Sequence, residues 1–334
     1  MRRASRLLLL LIIAATLAVS GIFIWGQKAF DRPGPLEKEV TVIIPRGAGL
    51  QKIAELLSNA GVIDQPTVFV VATRLRQHHL DLKAGEYTFA PRISPSDALS
   101  QIREGKVVIH RVTIAEGLTS AQVARLLAGT EGLIQDQKAI PPEGSLLPET
   151  YDFIRGDRSS SIIDRMTAAH DRKLSALWQN RAEDLPFNTP DEAIVLASIV
   201  EKETAVASER ALIAGVFVNR LRRGMRLQSD PTVVYALTGG DGPLGRSLTF
   251  ADLKTDSPYN TYKVSGLPPG PIANPGTAAI AAVLQPDATD ALYFVADGTG
   301  GHAFARTLRE HNRNVAKWRR INRQQQQPTN GSRN

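Results

Sequence analysis

Residues Ala197-Ser198-Ile199-Val200-Glu201-Lys202-Glu203-Thr204 place two carboxylates at the end of an apolar run that begins at Ala193. Acids are rare in such surroundings unless something is gained by it. Burial disfavours the charged form of a carboxyl and so raises its pKa. Raised into the working pH range, the group can protonate a glycosidic oxygen as a general acid. The structural alternative is that both acids mark where a buried helix reaches solvent.

Helical geometry separates the two. Thr189-Pro190-Asp191 reads as a helix start, with a capping hydroxyl or carboxylate and a proline in the first turn. Residues three, four and seven apart share a face. Glu203 continues the line of Leu196, Ile199 and Val200, whereas Glu201 follows Ile194, Ala197 and Ser198. The first line is bulkier and more apolar, so Glu203 is the acid expected to lose more solvent.

Further polar residues fall in clusters after Glu203. They are Asn219-Arg220, Gln228-Ser229-Asp230-Pro231-Thr232, Tyr235, Ser257-Pro258-Tyr259-Asn260-Thr261-Tyr262 and Gly266-Leu267-Pro268-Pro269-Gly270-Pro271-Ile272. Tyrosine faces stack on sugar rings, and side-chain amides both donate to and accept from hydroxyl and acetamido groups. Each also has a structural reading: Asp230 as a helix cap, Pro268-Pro269-Gly270 as a rigid turn, Tyr262 as core. Taken jointly they suit a saccharide cleft, with Gln228, Asn260 and Tyr262 as the first choices for orienting a sugar, and Asp230 and Tyr235 behind them. His302, after Gly300-Gly301, is a further candidate for the cleft. The six histidines show no metal-ligand spacing, so no metal or other cofactor is expected.

These side chains need a scaffold, and the rest of the 334 residues supplies the pattern for one. Leu7 to Trp25 is apolar except for Thr16, Ser20 and Gly21, and follows Arg2, Arg3 and Arg6. Nineteen residues at about 1.5 Å each span roughly 28 Å, close to the hydrocarbon thickness of a bilayer. A signal peptide cleaved near Ala18-Val19-Ser20 is the rival, but its apolar region is shorter, about 7–15 residues. The expectation is an uncleaved anchor over 7–26 with the arginines of 1–6 on the cytoplasmic side and the remainder outside. A soluble enzyme is disfavoured by the same segment.

The chain has no cysteine, so neither a disulfide framework nor a thiolate metal site is expected. Its formal charge of +7 comes from the ends: Arg2, Arg3, Arg6 and Lys28 at one, and Arg313, Lys317, Arg319, Arg320, Arg323 and Arg333 at the other. Without these, residues 31–310 carry −3. That balance argues against a nucleic-acid groove.

After a linker over 27–38 come a strand-like run at Val40–Ile44, a turn at Pro45-Arg46-Gly47 and a helical pattern closed by Gly61. The same grammar recurs seventy residues on. Ile114-Ala115-Glu116-Gly117 aligns with Ile44-Pro45-Arg46-Gly47, and Val123, Ala124, Leu126 and Leu127 align with Ile53, Ala54, Leu56 and Leu57. A second helix around Pro66–Leu75 and a strand at Glu86–Phe89 complete a strand–helix–helix–strand order over Glu39–Ala90. That order resembles a LysM module, a fold that binds N-acetyl sugars; a spacer without glycan affinity is the alternative. Region 39–140 is thus expected to hold the LysM-like unit and its relative. Region 141–320 is expected to be a mainly helical domain with a hairpin around Asp297-Gly298, and 321–334 a disordered basic, Gln-rich tail. The fold class is α+β.

Ile199–Thr204, Gln228–Pro231, Pro258–Tyr262, Gly266–Ile272 and Phe294-Val295-Ala296-Asp297-Gly298 together resemble the MltG/YceG-like endolytic murein transglycosylases. The Glu203-Thr204 pair is also similar to the Glu-Ser pair of lysozyme-like lytic transglycosylases. The resemblance implies a lysozyme-like catalytic domain in which Glu203 is catalytic. It implies cleavage of the bond between N-acetylmuramic acid and N-acetylglucosamine to leave a 1,6-anhydro end, within glycan strands at the inner membrane and near peptidoglycan synthases. A muramidase using Glu201 or Asp230 as second carboxylate, and a glycan-binding scaffold without catalysis, are the competing readings.

Overall fold

The computed structural model describes residues 2–136 and 139–326. The chain is α+β, with helices dominating and, among the described residues, three two-stranded sheets. The described residues divide into two compact units, one running up to residue 110 with 152–157 and the other holding 111–151 and the residues from 158 onward.

In the first unit the long helix α1 (Arg2–Asp31) carries the apolar run. It is long and apolar enough to cross a membrane. Beyond it lie β1 (Val40–Ile44), α2 (Leu50–Asn59), α3 (Pro66–Leu75) and β2 (Gly85–Phe89), the expected strand–helix–helix–strand order, followed by α4 (Pro95–Glu104). β1 and β2 pair antiparallel from Val40 opposite Phe89 to Ile44 opposite Gly85. Alternation along β1 sends Val42 and Ile44 inward, onto a core of Phe30, Ile53, Leu57, Phe69 and Tyr87. Pro95 opens α4 behind the Ser94 cap, whose hydroxyl accepts from the Asp97 amide at 3.1 Å.

β3 (His110–Thr113) and β4 (Thr150–Phe153) form a two-stranded sheet. The second unit then holds α5 (Ser120–Ala128), α6 (Ser159–Gln179), α7 (Pro190–Glu203), α8 (Arg210–Arg222), α9 (Asp230–Thr238), α10 (Thr277–Leu284), the hairpin β5 (Tyr293–Ala296) and β6 (His302–Ala305), and α11 (Leu308–Gln326).

The two stretches that align in the sequence share local features. Gly47 and Gly117 both take a positive φ, +80° and +75°, in the turn that leads to α2 and α5, a backbone region glycine enters without steric cost. Ile44 and Ile114, Ile53 and Val123, and Leu57 and Leu127 are buried in corresponding places. However, the boundary expected at 140 moves to 110, and residues 111–151 belong to the second unit. Burial of polar groups explains this. Asn274, fully buried, donates through its amide to the Leu118 carbonyl and the Ser120 hydroxyl and accepts from the Leu146 amide at 3.0 Å. Glu143 accepts from the Ser120 amide at 2.8 Å. The tail also starts later than expected: α11 continues over 321–326, and 327–334 lie outside the described residues.

Candidate active site

α7 begins where its sequence demands. Thr189 and Glu192 form a reciprocal capping box, each side chain accepting from the other's backbone amide, and Pro190 occupies the first turn. From Ala193 to Val200 every residue is buried, packed against Ile213, Phe217, Ile280 and Val283 of α8 and α10. Because α7 is buried all round, neither face is the wet one, and exposure alone does not separate Glu201 from Glu203. Their partners do.

Glu201 is built into the scaffold. Its carboxylate accepts from the backbone amide of Gly276, the cap of α10, at 2.9 Å. The Arg210 guanidinium lies 3.8 Å away on its other oxygen. Burial raises its pKa, with the Gly276 amide working against the rise. Lys202, between the two acids, donates to the Gly117 carbonyl at 3.2 Å.

Glu203, in the last helical position, opens instead on a cavity of about 420 Å³ walled by Arg220, Gln228, Asp230, Tyr262, Tyr293 and His302, among others. The carboxyl is packed among protein atoms and meets the cavity on one side. Burial pushes its pKa up from 4.5 to about 7; the Ser229 hydroxyl, which donates to it at 2.5 Å, pulls down, and the nearby Asp230 charge pushes up again. Electrostatic interactions with His302 and Arg220 oppose the rise more weakly. A carboxyl balanced near neutrality can both give and take a proton in one catalytic cycle.

The neighbours are held by long-range packing. Arg220 is buried on α8, donating through Nε to the Leu292 carbonyl and through Nη1 to the Leu227 carbonyl, each at 2.6 Å. Its guanidinium lies 5.4 Å from the centre of the Tyr293 ring. His302 at the start of β6 is pinned by Glu209, whose carboxylate takes both the Nδ1 contact, at 2.7 Å, and the backbone amide.

Gln228, Asp230 and Tyr262 line the same cavity as Glu203. Gln228 takes a positive φ of 48°, with its amide donating to Thr261, a strained conformation for a non-glycine residue. The Tyr262 hydroxyl donates to Asp230 at 2.6 Å, and burial first, then this bond, raises its pKa. Asp230 is not the cap of α9: Ser229 holds that position and Asp230 is the first helical residue.

Two expected residues are elsewhere. Asn260 is fully buried. Its amide donates to the Leu253 and Thr255 carbonyls and its oxygen accepts from the Tyr262 amide, so it shapes the loop that presents Tyr262. Tyr235 lies in a neighbouring cavity of about 500 Å³ that shares Asp230. It packs on Tyr259 at 4.9 Å between ring centres, and its pKa is pushed up to about 12 by burial and by Glu143.

Ser229 and Arg220 stood within the polar clusters of the sequence but were not among the residues chosen to orient a sugar, and Tyr293 was not named at all. Ser229 left one signal. A serine before Asp-Pro is a helix cap by type, and a cap hydroxyl normally serves its own helix. Here it makes no bond to α9 and serves Glu203 instead.

A sequence model described as the YceG-like family matches residues 42–317. The chain belongs to the YceG-like family. Among curated proteins it is 33% identical over 360 aligned residues to an endolytic murein transglycosylase of Streptococcus pneumoniae serotype 2, covering 92% of this chain and 64% of that protein. The chain thus spans just under two thirds of the length of that relative. It is 30% identical to the endolytic murein transglycosylase of Bacillus subtilis, covering 90% of this chain and 91% of that one. Among solved structures, a yceG-like protein of Listeria monocytogenes matches with a TM-score of 0.51 and 32% identity, over 83% of this chain and 99% of the other.

Proposed function

We propose that this YceG-like chain is a membrane-anchored endolytic murein transglycosylase with Glu203 as its single catalytic carboxyl. The observation that carries the reading is a carboxyl held near neutrality, with a pKa of about 7, on the wall of a polar cavity. The activity named for the pneumococcal and Bacillus relatives supports it.

Protonated Glu203 gives its proton to the oxygen joining N-acetylmuramic acid to N-acetylglucosamine, and the bond from the muramoyl C1 to that oxygen breaks. The leaving sugar departs with the proton. The carboxylate then takes the proton of the muramoyl C6 hydroxyl as that oxygen attacks C1, which closes the 1,6-anhydro ring and restores the acid. A tethered hydroxyl has a very high effective concentration, so no external nucleophile is required. The Ser229 hydroxyl holds the carboxyl in place, and Gln228 and Tyr262 face the space in which the sugar would lie.

The surroundings fit the same reading. The strand–helix–helix–strand unit over Val40–Phe89 is a LysM-like candidate for holding the glycan, and the helical setting of Glu203 is lysozyme-like. α1 is the candidate single-pass anchor in the inner membrane, with residues 27–334 outside, beside the peptidoglycan synthases that make nascent strands. A hydrolase is the second reading, because Asp230 lines the same cavity and could serve as a second carboxylate.

Mass spectrometry of murein strands treated with the detergent-solubilised full chain separates these readings. Internal fragments with anhydro ends, absent with Glu203→Gln, support transglycosylation. Reducible ends support the hydrolase. Intact strands with both proteins, under conditions where the chain binds glycan, leave a scaffold.

A further inference from the structure

α3 carries more apolar surface than its own unit buries. Phe69 and Thr73 face the core. A second stripe, Val68, Val71, Ala72 and Leu75, follows the three- and four-residue spacing of one helix face, and all four line a groove of about 400 Å³ whose other wall is Ile22, Phe23, Trp25 and Gly26 of α1. Half of Val71 and two thirds of Leu75 are open to solvent, and Leu80 just beyond is 83% exposed. Exposed aliphatic residues gathered along a groove mark an interaction surface.

We propose that this groove docks on the bilayer interface, so that α3 lies in the headgroup region and the first unit sits directly on the membrane. The inference rests on reading α1 as the anchor. Two observations select lipid as the occupant. The residues that wall the groove on α1 are also the last turns of its apolar run, so the groove opens at the depth where that run leaves the hydrocarbon, with Trp25 at the boundary. The segment Pro66–Leu80 contains Arg74, Arg76, His78 and His79 and no acid, a composition complementary to anionic headgroups. Arg76 sits over the Phe30 ring at 4.6 Å and near Asp31 at 3.5 Å, which ties the basic end of α3 to the end of α1.

The chain has no cysteine, so single labels are unambiguous. The full chain is reconstituted in vesicles of equal parts phosphatidylcholine and phosphatidylglycerol, with an environment-sensitive fluorophore on Val71→Cys or Leu75→Cys. Leu17→Cys reports the span, and Lys52→Cys on the exposed side of α2 reports water. The labels at 71 and 75 are expected to emit to the blue and to be quenched severalfold more by shallow nitroxide lipid than by iodide, with Lys52→Cys the reverse. Adding Arg74→Glu to the Leu75→Cys protein is expected to shift its quenching from lipid towards iodide. Iodide quenching at 71 and 75 with Leu17→Cys still in lipid overturns the docking and leaves the anchor standing. Iodide quenching at Leu17→Cys overturns both. Shielding of 71 and 75 from both quenchers means that protein covers the groove, and overturns the lipid as occupant.

Discussion

Replacing Glu203 by glutamine separates the demands of folding from those of catalysis. The folded protein holds this carboxyl at a pKa of about 7 against an ordinary 4.5. A folded pKa raised above the unfolded one means that the folded state binds the extra proton, so stability falls as pH rises through this window. The shift of about 2.5 units corresponds to about 3 kcal/mol of lost stability once both states are ionised. The same relation puts about 1 kcal/mol of the loss at pH 5 and about 2 kcal/mol at pH 6. Glutamine keeps the shape and the bond to Ser229 and does not ionise. Glu203→Gln is therefore expected to be more stable than the parent, by a margin that widens by about 2 kcal/mol between pH 5 and pH 7.5. For a unit of this size that is a difference in melting temperature growing by roughly 4–8 °C. Glu201 and Glu143 are also raised by burial, but they are common to both proteins and cancel in the difference. Intrinsic tryptophan fluorescence during thermal unfolding of the detergent-solubilised chain, at half-unit pH steps, measures it. A constant margin across that range, or a glutamine variant less stable at pH 8, refutes the buried-acid account whatever the activity shows.

The catalytic counterpart is a loss of about 10²–10⁴-fold in strand cleavage for Glu203→Gln, read from the yield of anhydro ends. Two neighbours are expected to move the pH profile in opposite directions. Ser229→Ala removes a bond that favours the ionised carboxyl, so the fall in activity above pH 7 moves to higher pH; Asp230→Asn removes a repelling charge, so it moves lower. A shared direction in pH–rate profiles of the two variants refutes that electrostatic assignment. Asn274→Ala strands buried donors and acceptors at Leu118, Ser120 and Leu146, and is expected to cost about 2–4 kcal/mol in urea denaturation. Thr189→Ala removes the cap of α7 and is expected to cost about 1 kcal/mol by the same measurement.

What could be read from the residues was local. The cap at Thr189-Pro190, the turns at Gly47 and Gly117 and the hairpin around Asp297-Gly298 each depend on side chains within a few positions of one another. Such features are set by backbone stereochemistry and short-range capping, which a single sequence displays directly. The membership of residues 111–151 was not local. It turns on Asn274 bonding to Leu118 and Ser120, across more than 150 positions.

The site shows the same division, and it changes the reason for choosing Glu203. Counting apolar residues along α7 gives only part of the reason to prefer Glu203, because Glu201 is buried as well and its pKa is also raised. Burial makes both carboxyls costly to ionise; what differs is whether the cost is met by fixed partners. Glu201 has the Gly276 amide and Arg210, groups that belong to the scaffold and stay in place. Glu203 has a single short bond from a hydroxyl, a repelling aspartate and an open cavity. A buried acid whose environment is complete stabilises a fold, and one whose environment is left unfinished on the side of a cavity has the capacity to exchange a proton with whatever enters. Asn260 and Tyr235 belong on the first side of that line, Asn260 because its amide is fully engaged in its own loop and Tyr235 because its hydroxyl and ring are taken up by Glu143 and Tyr259. Residue type nominated all of them; only the partners available after folding distinguish a group that is satisfied from one that is poised.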